Sequence, residues 1–276
     1  MKKHKIFVIN IWLSIFIVLL SSCKNYNHVY KDNLSGKVKS VELEIYDADE
    51  VDGIIQKDEL ESKHIMTYDK NGFRSQYKEY DESNNLKYSY IVKRDKSKVE
   101  TEYNHPDETG KIILVLKDNL PSSIKSYKNG ILIQDTKFFT EDNKTILGIT
   151  RNKKNEITVR NIEEYKNGNV IKSIVLFDEI DLEKYTYFDL NTYKITEILQ
   201  NNNGLEYRTS FKYDELGLIV ESVNGIFDEY KGTESSNTQQ KHTYKYEFDN
   251  KNNWIKCIVY EEMEPVLIKE RKITYY

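Results

Sequence analysis

Aromatic and apolar side chains recur at every second residue of this chain, and the runs end on aspartate. His64, Met66 and Tyr68 alternate before Asp69; Tyr207, Thr209, Phe211 and Tyr213 alternate before Asp214; Tyr244, Tyr246 and Phe248 alternate before Asp249. On a strand, residues i, i+2 and i+4 share one face and can pack together, whereas on a helix the same spacing scatters them around the axis. The period is that of a strand.

The turn residues agree. Six glycines follow Asp or Asn: Asp52-Gly53, Asn71-Gly72, Asn129-Gly130, Asn167-Gly168, Asn203-Gly204 and Asn224-Gly225. Such pairs accept positive φ at both central positions of a type I′ turn, whose twist matches paired antiparallel strands. Asn84-Asn85 and Asn252-Asn253 are expected to serve the same purpose at higher strain. Strands about 10–14 residues apart, joined by tight turns, predict an all-β antiparallel hairpin meander of roughly 16–20 strands. A β-sandwich or a propeller-like arrangement is the alternative closure. Lys231 to Gln240 reads as a long hairpin loop within one domain.

One unit recurs: an aromatic residue, Asp or Lys, a short polar stretch, Gly or Asn, then an apolar residue. It reads Tyr68-Asp69-Lys70-Asn71-Gly72-Phe73, Tyr127-Lys128-Asn129-Gly130-Ile131, Tyr165-Lys166-Asn167-Gly168-Asn169-Val170, Tyr213-Asp214-Glu215-Leu216-Gly217-Leu218 and Phe248-Asp249 through Trp254. A degenerate copy runs from Tyr80-Asp81 to Leu86. The unit resembles the YD (Rhs-type) repeat, and the chain is similar to small YD-repeat-like lipoproteins of bacterial envelopes. The resemblance implies a β-hairpin architecture and an envelope address; it implies no activity. Irregular spacing and the missing Arg after most glycines argue against a large closed toxin shell.

Residues 1–22 read as an export signal. Lys2, Lys3 and Lys5 precede a run from Ile6 to Leu20 that is apolar at 13 of 15 positions, too short to span a bilayer. Leu20-Ser21-Ser22-Cys23 looks like a lipobox, with Cys23 acylated as the first mature residue. Residues 23–35 are then a lipidated cysteine and polar tether, and residues 36–276 a single repetitive β domain. The expected address is the cell envelope, through a lipid in the outer membrane, with the leaflet left open. A mean hydropathy of −0.70 argues against a polytopic membrane protein. The formal net charge is −4, and loss of three signal lysines makes the mature chain more acidic, so nucleic acid is not an expected partner.

Concentrated chemistry is scarce. Asp47 to Gly53 glances at a calcium loop, but Val51 stands where an EF-hand needs Asp or Asn and Gly53 arrives one residue late. His28, His64, His105 and His242 form no close pair, so no metal is expected. Cys257 shares a face with Ile255 and Val259 and reads as core. Glu163-Glu164 and Glu261-Glu262-Met263-Glu264 are the densest carboxylates, yet adjacent strand residues point to opposite faces. No phosphate loop, dinucleotide fingerprint or G-x-S-x-G is present. No catalytic, cofactor-binding or metal-binding residue and no cofactor is expected.

The 22 tyrosines remain. Most are expected to pack, and some to form amphipathic platforms for sugar rings or protein partners. Tyr88 with Tyr90, and Tyr185 with Tyr187, are the candidate ligand-facing pairs. The expected function is a lipid-anchored, non-catalytic binding scaffold with an envelope protein or glycan as partner. A glycan hydrolase using dispersed Asp and Glu is the alternative. The anchor is directly testable: Cys23→Ala should abolish lipid labelling and membrane fractionation, and unchanged membrane retention would sink the lipobox reading.

Overall fold

The computed structural model describes residues 32–276 except 118–119, 143–144, 167–168, 178–181, 190–193, 203–204, 229–232 and 235–238. Cys23 and the signal lie outside the described residues. Among the described residues there are strands and turns but no helix. The strands are β1 (Val38–Val51), β2 (Ile54–Tyr68), β3 (Arg74–Tyr80), β4 (Leu86–Arg94), β5 (Lys98–His105), β6 (Glu108–Lys117), β7 (Leu120–Lys128), β8 (Ile131–Asp142), β9 (Thr145–Arg151) and β10 (Ile157–Lys166). They continue as β11 (Asn169–Phe177), β12 (Leu182–Phe188), β13 (Ile195–Asn202), β14 (Leu205–Tyr213), β15 (Ile219–Asp228), β16 (Thr233–Glu234), β17 (Gln240–Phe248), β18 (Trp254–Glu261) and β19 (Glu264–Tyr275).

Consecutive strands pair antiparallel, with β17 pairing β15 past the two-residue β16. β1 pairs with both β2 and β19, so the meander closes on itself. The result is an up-and-down barrel of eighteen long strands, with neither the paired sheets of a sandwich nor the blades of a propeller.

Period two then sorts residues into an inner and an outer wall. Following the register from strand to strand, Ile273, Val41, Met66, Tyr77, Tyr90, Tyr103 and Gly110 stand side by side on one face. This face carries nearly all of the buried side chains, including Val41, Met66, Tyr90, Val99, Tyr103, Ile112, Leu114, Ile124, Cys257 and Val259, and is therefore the interior. Gly110 sits directly beneath the Tyr103 ring, where a Cβ would collide with it, and Gly148 accommodates Phe138 in the same way. Both strand glycines make room for an inward aromatic ring.

The outer wall carries charge. Lys93–Glu102, Lys111–Glu100, Lys172–Glu164, Arg208–Glu197, Lys212–Glu221 and Lys241–Glu221 pair across neighbouring strands around much of the barrel, and Lys57–Glu270 reaches from β2 to β19 over β1. A Lys or Arg on a lipid-facing barrel wall costs about 2–4 kcal/mol at mid-membrane. This exterior is built for water. One outward row is apolar, running directly across β8 to β13 through Phe139, Leu147, Ile162, Ile174, Tyr185 and Leu199.

The Tyr-Asp unit has a structural meaning. Asp69 Oδ1 accepts from the backbone N–H of Asn71 (2.8 Å) and Phe73 (2.9 Å), while Gly72 takes φ 80°. Asp81, Asn152, Asp214 and Asp249 cap their turns likewise, with Asn84, Asn155, Gly217 and Asn252 in the left-handed position. Asn71-Gly72 is thus not the expected type I′ pair: only Gly72 has positive φ, because the aspartate holds a longer turn. Asp52-Gly53 and Asn129-Gly130 do carry positive φ at both positions. Asn224-Gly225 makes no turn. It lies inside β15, with Gly225 opposite Arg208, because pairing with β14 continues through it. Asn167-Gly168 and Asn203-Gly204 lie outside the described residues. Glu262-Met263 turns the last hairpin with positive φ at both positions and no glycine.

Residues 32–35, read from the sequence as the end of the tether, lie against one end of the barrel. Leu34 is buried with Val38, Met66 and Tyr68. Asp32 accepts from Arg74 and from the Tyr68 hydroxyl, Asn33 donates to the Gly217 carbonyl, and Ser35 exchanges hydrogen bonds with the Asn253 side chain. Asn253 also donates to Tyr275, which donates to Asp249 at 2.6 Å. Asp249→Ala should therefore cost about 1–2 kcal/mol in urea unfolding, and more than Asp81→Ala at an isolated turn. Equal losses would show that the Tyr275 link contributes nothing.

Candidate functional site

The inner wall of β2 to β5 concentrates rings and polar groups. His64 on β2 and Tyr77 on β3 face inward one register step apart, with Glu79 directly opposite His64. Tyr88 stands opposite Glu79, and Tyr90 opposite Tyr77. Tyr77 and Tyr90 stack with centroids 5.3 Å apart and 18° between planes. Tyr88 lies 6.2 Å from Tyr77, 6.0 Å from Tyr90 and 6.5 Å from Tyr103.

A polar chain threads these rings. His64 Nε2 lies 3.0 Å from Ser62 Oγ and Nδ1 lies 2.7 Å from the Tyr77 hydroxyl, which donates to Glu79 at 3.1 Å. One proton arrangement satisfies every member: Ser62 donates to Nε2, Nδ1–H donates to Tyr77, and Tyr77 donates to the carboxylate. Burial pushes the His64 imidazole below its ordinary pKa, favouring this neutral form. Burial, joined by the Glu79 charge, raises the Tyr77 hydroxyl, so it acts as a donor and not as a base. Tyr88 Oη is buried and makes no hydrogen bond.

Above this wall, Arg74 Nη2 holds both oxygens of Asp32 (2.9 and 2.8 Å), and its Nη1 donates to Tyr90 at 3.1 Å. Across the barrel all seven residues of β12 are half-buried, inward and outward alike, as are those of β3. Barrels of 16–18 strands are wide enough to leave an aqueous lumen.

The sequence-chosen tyrosines separate. Tyr88 and Tyr90 face the interior, with Tyr90 itself buried. Tyr185 and Tyr187 lie on the outer wall, where Tyr185 donates to Glu183 at 2.7 Å. The two pairs share no surface. Cys257 is buried, and burial raises its thiol to about 11, as befits a core residue. Glu163 and Glu164 do point oppositely: Glu163 is buried inside, its carboxyl raised by burial and bonded by Tyr165 at 2.5 Å, while Glu164 pairs outside with Lys172. His242 lies 3.7 Å from Glu261.

Sequence reasoning missed Asp32, Arg74 and Glu79, and read His64 only as a strand-face residue. A signal was present. Glu44/Tyr46, Tyr77/Glu79, Glu163/Tyr165 and Glu183/Tyr185 are each two residues apart on one strand, and each pair is hydrogen-bonded.

No family model matches the chain, and no curated protein does. Among solved structures it is similar to a porin-like protein from Bacteroides uniformis (13% identity, TM-score 0.47, covering 86% of this chain and 96% of that one). A porin-like protein from Bacteroides vulgatus matches at 10% identity and TM-score 0.43, covering 88% and 99%. The Tc holotoxin pore of Photorhabdus luminescens matches at 9% identity and TM-score 0.25, over 81% of this chain and 15% of that one.

Because the folded state lowers the His64 pKa, protonation of that ring opposes folding. Stability from this site is present above about pH 6.5 and is lost as pH falls through the lower, folded-state value. His64→Gln should flatten the dependence of the urea midpoint between pH 7.5 and 5, and an unchanged slope would assign the titration elsewhere.

Proposed function

We propose that this protein is an envelope lipoprotein whose water-exposed barrel is a non-catalytic binding module that takes its ligand at the inner wall. One observation carries the reading. Outside, many charges pair across strands, whereas the inner wall presents half-buried Tyr77 and Tyr88 beside His64 and Glu79, with the Tyr88 hydroxyl free to accept a partner. Aromatic faces with nearby hydrogen-bonding groups suit sugar rings, which are apolar on one face and hydroxylated at the edge. The rows that could carry acid–base chemistry instead hold structural partners, as Asp32 does with Arg74 and Glu163 with Tyr165.

The tether reading supplies an orientation. Residues 32–35 meet the barrel at the end formed by the turns at Asp69, Asp214 and Asp249. A lipid on Cys23 would hold that end toward the membrane, and the opposite mouth would face outward. The choice of wall is testable by titration calorimetry of the mature protein against neutral and acidic oligosaccharides. Tyr77→Phe and Tyr88→Phe should weaken binding about tenfold by removing hydroxyl partners, with Tyr185→Phe and Tyr187→Phe unchanged. The reverse pattern would move the site outside, and silence across the panel would remove the glycan reading.

A further inference from the structure

Arg271 on β19 points into the barrel beside Leu43 of β1, on the face that also carries Lys269 and Ile273. Its guanidinium carbon lies over the Trp254 ring, 3.5 Å from the centroid. Its Nε and Nη1 are buried and make no hydrogen bond. Buried donors are almost always paired, and an unpaired one costs about 1–3 kcal/mol, more when charged. Asp32, the carboxylate that attracts Arg271, does not relieve this. Both oxygens of Asp32 accept from Arg74, and one also accepts from Tyr68 at 2.6 Å. Asp32 attracts Arg271 only through space, and burial still brings the guanidinium down to about 10. Lys269, opposite Cys257 on the same wall, adds a further positive charge.

We infer that Arg271 is the anchor of an oxyanion-binding subsite inside the barrel, taking the carboxylate or phosphate group of a ligand. A planar guanidinium with one face covered by an indole presents its N–H groups edge-on, the geometry that planar and tetrahedral oxyanions accept with charge-assisted hydrogen bonds. Trp254 covers one face of the guanidinium, and Arg74 neutralises Asp32, the acid that acts on Arg271 through space. Arg271 stands three register steps from Glu79 through Leu43 and His64, so the subsite adjoins the tyrosine wall without depending on it.

The test is calorimetry and thermal unfolding of the mature protein at low ionic strength with sodium glucuronate and, separately, inorganic phosphate. At least one anion should bind and raise the unfolding midpoint. Binding of glucuronate alone identifies a carboxylate ligand such as an acidic saccharide; binding of phosphate alone identifies a phosphate ligand. Arg271→Met should weaken binding about tenfold or more, and Lys272→Met, on the outer wall of the same strand, should not. Without anion, Arg271→Met should unfold no earlier than the parent, since it removes unpaired buried donors, whereas a purely structural arginine would destabilise on removal. Arg271→Lys, which keeps the charge and loses the planar group, should fold and still bind about fivefold or more weakly. Failure of both anions to bind the parent, or equal binding by the Arg271 variants, overturns the subsite. It leaves the tyrosine-wall reading standing, because neutral sugars test that separately.

Discussion

Pairing of β1 with β19 is the contact on which the rest depends. A meander of this length left open would present two long edges of unpaired N–H and C=O groups, a template for association. Here Val41 to Asp47 pair residue by residue with Ile273 to Leu267, while the same strand pairs with β2 on its other side. Closure removes both edges, and it turns a two-faced ribbon into an inside and an outside. Every later property follows from that distinction: the buried rings, the external ion-pair ladder and the enclosed guanidinium.

The closure is reinforced at one end. Asp32 and Leu34 reach across to Arg74, Met66 and Tyr68, Asn33 reaches the turn at Gly217, and Ser35 reaches the turn at Asn253. Tyr276 returns from the other terminus, its hydroxyl donating to the Tyr68 carbonyl at 2.6 Å and its N–H to the Lys37 carbonyl. Distant parts of the chain are thereby tied where β1 begins and β19 ends. A segment that looked like featureless tether is structural because of three residues, Asp32, Asn33 and Leu34, whose partners lie dozens to nearly two hundred positions away and leave no local trace.

Strand period, antiparallel order and the grouping of His64, Met66 and Tyr68 on one face were legible in the sequence because they are local. So was the turn aspartate, although its role came out differently, as a cap holding a longer turn instead of a prelude to a type I′ pair. Closure was not legible, since nothing in the alternation of β1 distinguishes an edge from a joint. Without closure, inside and outside cannot be told apart. That is why Tyr88 with Tyr90 and Tyr185 with Tyr187 looked equivalent, though the register places them on opposite walls. Asn224-Gly225 and Glu262-Met263 mark the same limit from the other side: strand pairing carries a turn-forming dipeptide straight through β15 and imposes positive φ on residues that disfavour it at the final hairpin.

The inward tyrosines suit the width of this barrel. A small barrel can fill its interior with aliphatic side chains, but eighteen strands enclose too much space for that. An inner wall that meets water must be apolar where rings pack and polar where they end, which is what a phenol provides. Tyr213 donates to the Ile195 carbonyl at 2.7 Å and Tyr246 to the Ile219 carbonyl at 2.8 Å, beside bulges where the ladder is interrupted. Tyr244 bonds Ser222, Tyr165 bonds Glu163, and Tyr275 bonds Asp249. Nearly every inward hydroxyl with a described partner thus completes the wall itself. Against that background the unpartnered hydroxyl of Tyr88 and the unpartnered donors of Arg271 stand out among the described residues, and the two proposed ligand contacts rest on them.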